Sequence, residues 1–437
     1  MSKRKILMIG WEYPPTIFGG LGIATHGIAK ALGELGHKIL LILPRITGKE
    51  PKDKNLFILG VNSRYLPFTK EELQKYLLET MHLSNLSTYE SQYFLPPEEI
   101  LSSLERSSTL VQDELLEVQQ TRILEGGYTS NIYFEIQAFA EFVAKIAEKL
   151  KSIDLIHAHD WMTFPAALYA KHLTGIPIIL HVHATEFDRS GEHPNLYVYN
   201  LEKYSFEKAD AIITVSNYTK NILVEKYQIH PDKIFPVYNA IDFQYIEDKP
   251  VRKPIKQKIV LFLGRITFQK GPDYFVRAAK KVIEKIDHVK FLMVGTGDMY
   301  SRIIEMAADL GIGKYFHYTG FVPREKIDEI FKMSDVYVLP SVSEPFGLTV
   351  LEALKAGVPV IVSKQSGISE LIQNAIKVDF WNVDDIADHI INLLKDEDYK
   401  NQIKQKLNEE QIHQITWYDS ARKIEEIYDQ VLNKIRK

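Results

Sequence analysis

The sequence predicts an α/β protein with two doubly wound, Rossmann-like domains of parallel strands. Three observations predict it. A chain of 437 residues is too long for one hydrophobic core and suits two large domains. Its first 43 residues read strand, Gly-rich loop, helix, strand, which makes a βαβ unit. From residue 259 onward short apolar runs and helical periodicities alternate strictly, as in a second parallel sheet. The balance of 45% hydrophobic and 25% charged residues is ordinary for a soluble protein. A net charge of −4 gives no reason to expect nucleic acid or an anionic membrane as the main partner. The absence of cysteine excludes disulfides, thiolate metal sites and a cysteine nucleophile. The basic start is followed by an apolar run too short for a signal-peptide core, and no stretch is long enough to span a bilayer. A cytoplasmic enzyme is the expectation.

The first strand covers 6–9 and the loop 10–22 follows, with a helix over 23–35 and a second strand over 38–43. Gly19, Gly20 and Gly22 let backbone come close to a phosphate or sugar, or simply make a flexible turn. The G-x-G-x-x-G spacing is missing and strand two ends in Pro44-Arg45 without an acid, so dinucleotide binding is set aside. From about 48 to 131 the pattern is irregular, with a strand near 56–61 and amphipathic helices over 70–81 and 98–124. It reads as a helical insertion, either an acceptor-side cap or structural packing. A helix over 133–150 returns to the sheet.

The next strand ends near His157 and Ala158, which puts His159 and Asp160 at its carboxyl edge. Another, over 176–182, delivers His183, with Glu186, Asp188 and Arg189 on the loop beyond. The histidines on these strands raise the question of zinc. Their i, i+2 spacing without a fourth partner in register argues against a metal site, and hydrogen-bonded packing suits His157 and His181. The last strand of this domain covers 211–216, and Ser216 or Asn217 caps the following helix. A Lys- and Pro-rich stretch at 248–258 marks a linker, dividing the chain into domains at 1–247 and 248–415. Residues 416–437 form a terminal helix with Trp417, Ala421, Ile424, Ile427, Tyr428 and Val431 on one face.

In the second half, the strand 259–263 leads into Gly264-Arg-Ile-Thr-Phe-Gln-Lys-Gly271. Arg265 and Lys270 at a strand's carboxyl edge would neutralise a departing diphosphate. After the strand 289–294, Gly295 and Gly297 make either a tight turn or a nucleotide loop. Backbone around Thr319 could read the edge of a base. The strand 336–339 then opens onto Ser-Val-Ser-Glu-Pro-Phe-Gly-Leu-Thr-Val-Leu-Glu over 341–352. Phe346, Gly347 and Leu348 offer N–H groups at a helix start, a seat for phosphate. Glu344 and Glu352 lie eight residues apart, roughly 12 Å along a helix axis. Two hydroxyl-binding carboxylates flanking an anion seat fit a nucleotide sugar. Gly367, after the run 358–362, could bring backbone to the sugar or phosphate. Asp396-Glu-Asp398 is read as a solvated loop and not as a metal site.

The E-P-F-G turn with a second Glu on the helix resembles the E-x7-E element of group-one retaining glycosyltransferases, which include glycogen and starch synthases. G-R-x4-K-G matches that family's donor-phosphate Arg and Lys. His159-Asp160-Trp161 resembles its H-D-W element, and Gly19-Gly-Leu-Gly22 its Gly-rich loop. The resemblance covers about 1–45 and 150–435. It implies the GT-B fold, with two Rossmann-like domains facing across a cleft and a terminal helix crossing back to the first. It also implies hexosyl transfer from a nucleoside-diphosphate sugar with retained configuration. By the same resemblance His183 lies near the anomeric carbon and Asp160 on the acceptor side, while Glu186, Asp188 and Arg189 either touch the acceptor or form a solvated loop. Glu344 and Gly367 position the sugar, Glu352 holds the ribose, and no cofactor or metal is required.

An α-glucan acceptor with ADP-glucose or UDP-glucose as donor leads, through H-D-W and G-G-L-G. Glycogen synthases carry a Lys two positions before the paired glycines, where this chain has Ile17. That departure favours the alternative, a small sugar or lipid acceptor. An epimerase, a phosphorylase or a non-catalytic glycan-binding protein are the readings from other classes.

Overall fold

A computed structural model describes residues 3–17, 19–61, 132–150, 152–241, 253, 255–410 and 415–435. The helices expected over 70–81 and 98–124, and most of the linker stretch, lie outside the described residues.

Two all-parallel sheets form the protein. The first holds β1 (Lys5–Ile9), β2 (Lys38–Leu43), β3 (Leu56–Gly60), β4 (Leu155–His159), β5 (Ile178–Val182), β6 (Ala211–Thr214) and β7 (Ile234–Pro236). Their spatial order is β3-β2-β1-β4-β5-β6-β7. The second holds β8 (Lys258–Leu263), β9 (Val289–Val294), β10 (Phe316–Gly320), β11 (Val336–Leu339), β12 (Val360–Ser363) and β13 (Ile376–Val378), in the order β10-β9-β8-β11-β12-β13. In each sheet the order reverses beside the first strand, at β1/β4 and β8/β11. Such switch points leave a crevice at the carboxyl ends of the strands.

The strands are nearly continuous apolar runs because both faces are covered. Leu7 and Ile9 point into one layer of the first sheet while Ile6 and Met8 point into the other. Helix α1 (Gly20–Glu34) follows β1. It starts three residues earlier than its periodicity predicted, so Gly20 and Gly22 belong to its first turn. The reason is packing. A Cβ on Gly22 would lie 2.4 Å from Ile17 Cγ2, so only glycine lets the loop fold back onto the helix. Helix α2 (Ile132–Lys149) covers the face that holds Phe139 and Val143.

Helix α6 (Trp417–Ile435) puts Trp417, Ala421, Ile424, Ile427, Tyr428 and Val431 into the core on the other face of the first sheet. The Trp417 ring lies over Gly27 of α1, where a Cβ would come within 2.2 Å of ring carbon Cε2. Gly27→Ala should therefore overpack this contact and destabilise by about 1–3 kcal/mol. A thermal melt unchanged in this variant would contradict the packing described. Asp396-Glu-Asp398 does not form the expected loop. Asp396 accepts from Tyr399 N at 2.9 Å and caps the helix Glu397–Glu409. Among the described residues no helix is long and apolar enough to cross a membrane.

Candidate functional site

A cleft of about 350 Å³ runs between the carboxyl ends of the two sheets and is lined from both. That volume is in the range of small-ligand sites. Its second-sheet wall is built first by the loop after β8. Gly264 has φ +155 and Gly295 has φ +133. A Cβ on Gly295 would lie 2.0 Å from Gly264 O, and one on Gly297 would lie 2.2 Å from Ile266 O. The two loops thus pack backbone to backbone, with Gly295 on the cleft wall and Gly297 behind it. Arg265 and Lys270 both line the cleft. Arg265 Nη2 donates to Gln269 Oε1 at 3.4 Å.

The turn after β11 supplies the rest of this wall. Glu344 N donates to Gln365 O at 2.9 Å, fixing the turn against the end of β12. The Glu344 carboxylate points into the cleft, with Lys270 Nζ 2.5 Å and Ser341 Oγ 3.2 Å from its Oε2. Gly347, at φ +108, takes a conformation that admits few other residues and starts α5 (Leu348–Lys355). Phe346, Gly347 and Leu348 line the cleft at this helix start. The first N–H groups of a helix have no intrahelical acceptor and face a positive dipole end. One turn further on, Glu352 pairs with Arg324, Nη2 to Oε1 2.5 Å.

The first-sheet wall carries Asp160 and His183. Asp160 has φ +64, which turns the chain sharply after β4. Its Oδ1 accepts from His183 N at 2.6 Å and Ala184 N at 3.2 Å. Burial pushes its carboxyl up to about 7, against the pull of Arg189 and these two amides. Burial holds His183 down to about 3, so its imidazole is neutral.

His183 is the top of a stack of four imidazoles from adjacent strands. His159 lies directly opposite His181 in the parallel register. Ring centroids are 4.5 Å apart for His157–His159 and 4.4 Å for His181–His183. His159 Nδ1 and His183 Nε2 are hydrogen-bonded at 3.0 Å, and His157 Nε2 and His181 Nδ1 at 3.2 Å. The Tyr428 hydroxyl of α6 meets His157 Nδ1 at 2.6 Å. Nitrogens of His157, His159 and His181 come within 4.8 Å of one another, closer than their spacing in sequence suggested. His157, however, uses both nitrogens, on Tyr428 and His181, and burial holds it too down to about 3.

Of the expected site residues, the cleft brings together Gly19, Gly20, Asp160, His183, Arg265, Lys270, Gly295, Glu344, Phe346, Gly347, Leu348 and Glu352. Gly22, Glu186, Gly297, Thr319 and Gly367 lie outside its wall. Helix α3 (Glu186–Ser190) is closed by a Thr185–Asp188 capping box. Within it the Glu186 carboxylate is occupied by Arg189 Nε at 3.1 Å and Asn195 N at 3.0 Å. Arg189 reaches the cleft instead, while pairing with the buried Glu202 at 2.6 Å. Thr319 Oγ1 donates to Gly320 O at 2.9 Å. Gly367 sits behind the Glu344 turn, donating its N–H to Glu344 O at 2.9 Å.

The same turn is tied to the first sheet. Ser216 Oγ donates to Pro345 O at 2.6 Å, and Ser343 Oγ donates to Asp188 Oδ1. Tyr218 OH bonds Ser343 Oγ at 2.9 Å. Sequence reasoning missed Glu12, Asn239, Phe321 and Arg324, which all line the cleft. Glu12 and Asn239 had a signal, since each lies in a turn at the end of a strand of the first sheet. Arg324 had none, because only folding brings it to Glu352.

Two family models match the chain. "Starch synthase catalytic domain" matches residues 5–234 and "Glycosyl transferases group 1" matches residues 244–410. An uncharacterized glycosyltransferase of Methanocaldococcus jannaschii is 27% identical over 97% of both chains. A glycogen synthase of Mycobacterium tuberculosis is 23% identical over 85% of this chain and 80% of its own. Among solved structures, Anabaena HepE in complex with UDP and glucose superposes with a TM-score of 0.68. That match has 17% identity and covers 98% of this chain and 100% of HepE. The likeness is one of fold, two Rossmann-like domains in the GT-B arrangement.

Proposed function

The chain belongs to the group 1 glycosyltransferases, with a starch-synthase-type first half, and from that membership we propose a retaining glucosyltransferase. Its donor is ADP-glucose or UDP-glucose and its acceptor a hydroxyl of an α-glucan. The observation that carries this reading is the division of the cleft. Three cations (Arg265, Lys270 and Arg324), a helix start and two glutamates line one wall, and the neutral His183 imidazole and Asp160, with Glu12 and Arg189, line the other.

In this reading Arg265, Lys270 and the N–H groups at Phe346 to Leu348 receive the diphosphate as charge develops on it. With that much positive charge supplied by the protein, the scheme needs no divalent ion. Glu344 holds sugar hydroxyls and trades its contact with Lys270 for one shared with the donor. Glu352 holds the ribose. Gly367 fixes the Glu344 turn from behind, and Gly297 does the same for Gly295. His183, uncharged, lies at the anomeric carbon and Asp160 at the acceptor side, where both stabilise oxocarbenium character. Glu186 acts on the acceptor side through Arg189. Among the described residues no second carboxylate is placed as a covalent nucleophile, so in this reading the acceptor attacks from the face the diphosphate leaves. The leaving phosphate takes the acceptor's proton.

The UDP and glucose held by HepE and the glycogen synthase of M. tuberculosis support donor and acceptor class respectively. Ile17, on the cleft wall where glycogen synthases carry Lys, favours a second reading with a small sugar or lipid acceptor. The test is release of nucleotide from ADP-, UDP- and GDP-sugars, with and without maltooligosaccharides, and the anomeric configuration of the product by NMR. ADP- or UDP-glucose turnover that rises with the glucan, giving an α-product, is expected. Turnover indifferent to glucan would remove the acceptor, and an inverted product would remove the mechanism.

A further inference from the structure

The nucleotide end of the cleft holds an ion pair with no part in the transfer chemistry. Arg324 comes from the short 3-10 turn Arg324–Lys326 beyond β10, and Glu352 from α5. The side chains are exposed to different degrees, 45% for Arg324 against 4% for Glu352. Arg324 is thus the outer cover of the pair. Beneath it Glu352 Oε1 is engaged, while Oε2 is buried with no hydrogen-bond partner among the described residues. A buried acceptor left unsatisfied destabilises the site. A donor that arrives with a ligand removes that cost.

We propose that Arg324 is a positioning residue for the nucleotide, holding Glu352 through Oε1 so that Oε2 meets a ribose hydroxyl. The proposal rests on the reading of Glu352 as the ribose carboxylate. A planar guanidinium suits the task, because it fixes the plane of the carboxylate as well as balancing its charge. The other glutamate of the motif has the same arrangement, with a cation 2.5 Å from one oxygen of a buried carboxylate. Burial pushes the Glu352 carboxyl up, and Arg324 is the largest influence in the other direction. Of its other charged neighbours, Asp328 on α4 (Ile327–Met333) adds to the burial effect and Lys355 on α5 opposes it. Without Arg324 the carboxylate is both less ionised and free to turn.

The test is calorimetric titration of UDP and ADP, and of their 2′-deoxy and 3′-deoxy counterparts, into wild type, Arg324→Ala and Arg324→Lys. Wild type should prefer a ribonucleotide over at least one deoxy counterpart by about tenfold, the worth of one such hydrogen bond. Arg324→Ala should weaken ribonucleotide binding about tenfold and bring that ratio near one, with the deoxynucleotide almost unaffected. Arg324→Lys should recover part of the ratio. A merely structural role would weaken both nucleotides alike. If Arg324→Ala does not fold, Arg324→Gln takes its place in the same comparison. A variant that keeps the wild-type ratio, or a wild type with no preference, overturns the proposal alone. A wild type that binds neither UDP nor ADP overturns the donor-site reading and this inference with it.

Discussion

Lys270→Ala is expected to lower turnover by about 10²–10³-fold, the usual cost of one group stabilising developing charge, and Glu344→Ala by about 10²-fold through misplacement of the sugar it holds. Lys270 Nζ and Glu344 Oε2 lie 2.5 Å apart on the cleft wall, with side-chain exposures of 19% and 7%. Removing either leaves its largely buried partner without its counter-charge, which costs about 1–3 kcal/mol of stability besides. The double variant should therefore be less destabilised than the sum of the singles, since it strands neither group. Initial rates of nucleotide release and urea melts of the four proteins measure both effects. Near-wild-type rates in both single variants would remove these residues from the reaction.

Asp160→Asn should gain stability at alkaline pH while losing activity. In the folded chain this carboxyl keeps its proton up to about pH 7, against an ordinary value of 3.8. Between those values the native state binds more protons than the unfolded one, so stability falls as pH rises. Asn escapes that loss and still offers Oδ1 to the amides of His183 and Ala184. Its advantage should be absent below about pH 4 and approach a ceiling of about 4 kcal/mol by pH 8. Burial raises Glu202 to about 7 as well. Only the difference between variant and wild type isolates Asp160. Turnover should fall at least tenfold in the variant, because an amide supplies no negative charge to the transition state. Wild-type activity should itself decline as pH drops through 7, and the variant's residual activity should not. Parallel melting curves from pH 4 to 8 would contradict the burial described for Asp160.

Both sheets were legible because parallel strands buried on two faces must be short apolar runs, and such runs alternate with amphipathic helices. Asp160, His183 and Arg265 come within two residues of a strand's end, and a strand's carboxyl end fixes what comes next. Lys270 and Glu344 lie seven and five residues beyond theirs, and the turns that carry them bring them back to the cleft wall. Distance from the strand alone does not decide the outcome. Glu186 is three residues beyond His183, yet a capping box and Arg189 decide where its carboxylate goes. Gly367 follows β12 by four residues, but it supports the Glu344 turn from the far side. Arg324 and Glu352 are 28 positions apart, and no local periodicity announces their pairing. The stacking of four histidines needed the register of β4 against β5, which neither strand contains alone.

That column of rings ends on a tyrosine of the last helix. Between Tyr428 and His183 the column is made of imidazoles that burial keeps neutral. The last helix is therefore joined to the ring on the cleft wall through uncharged contacts. Dissolved ions screen charges and would leave such contacts untouched.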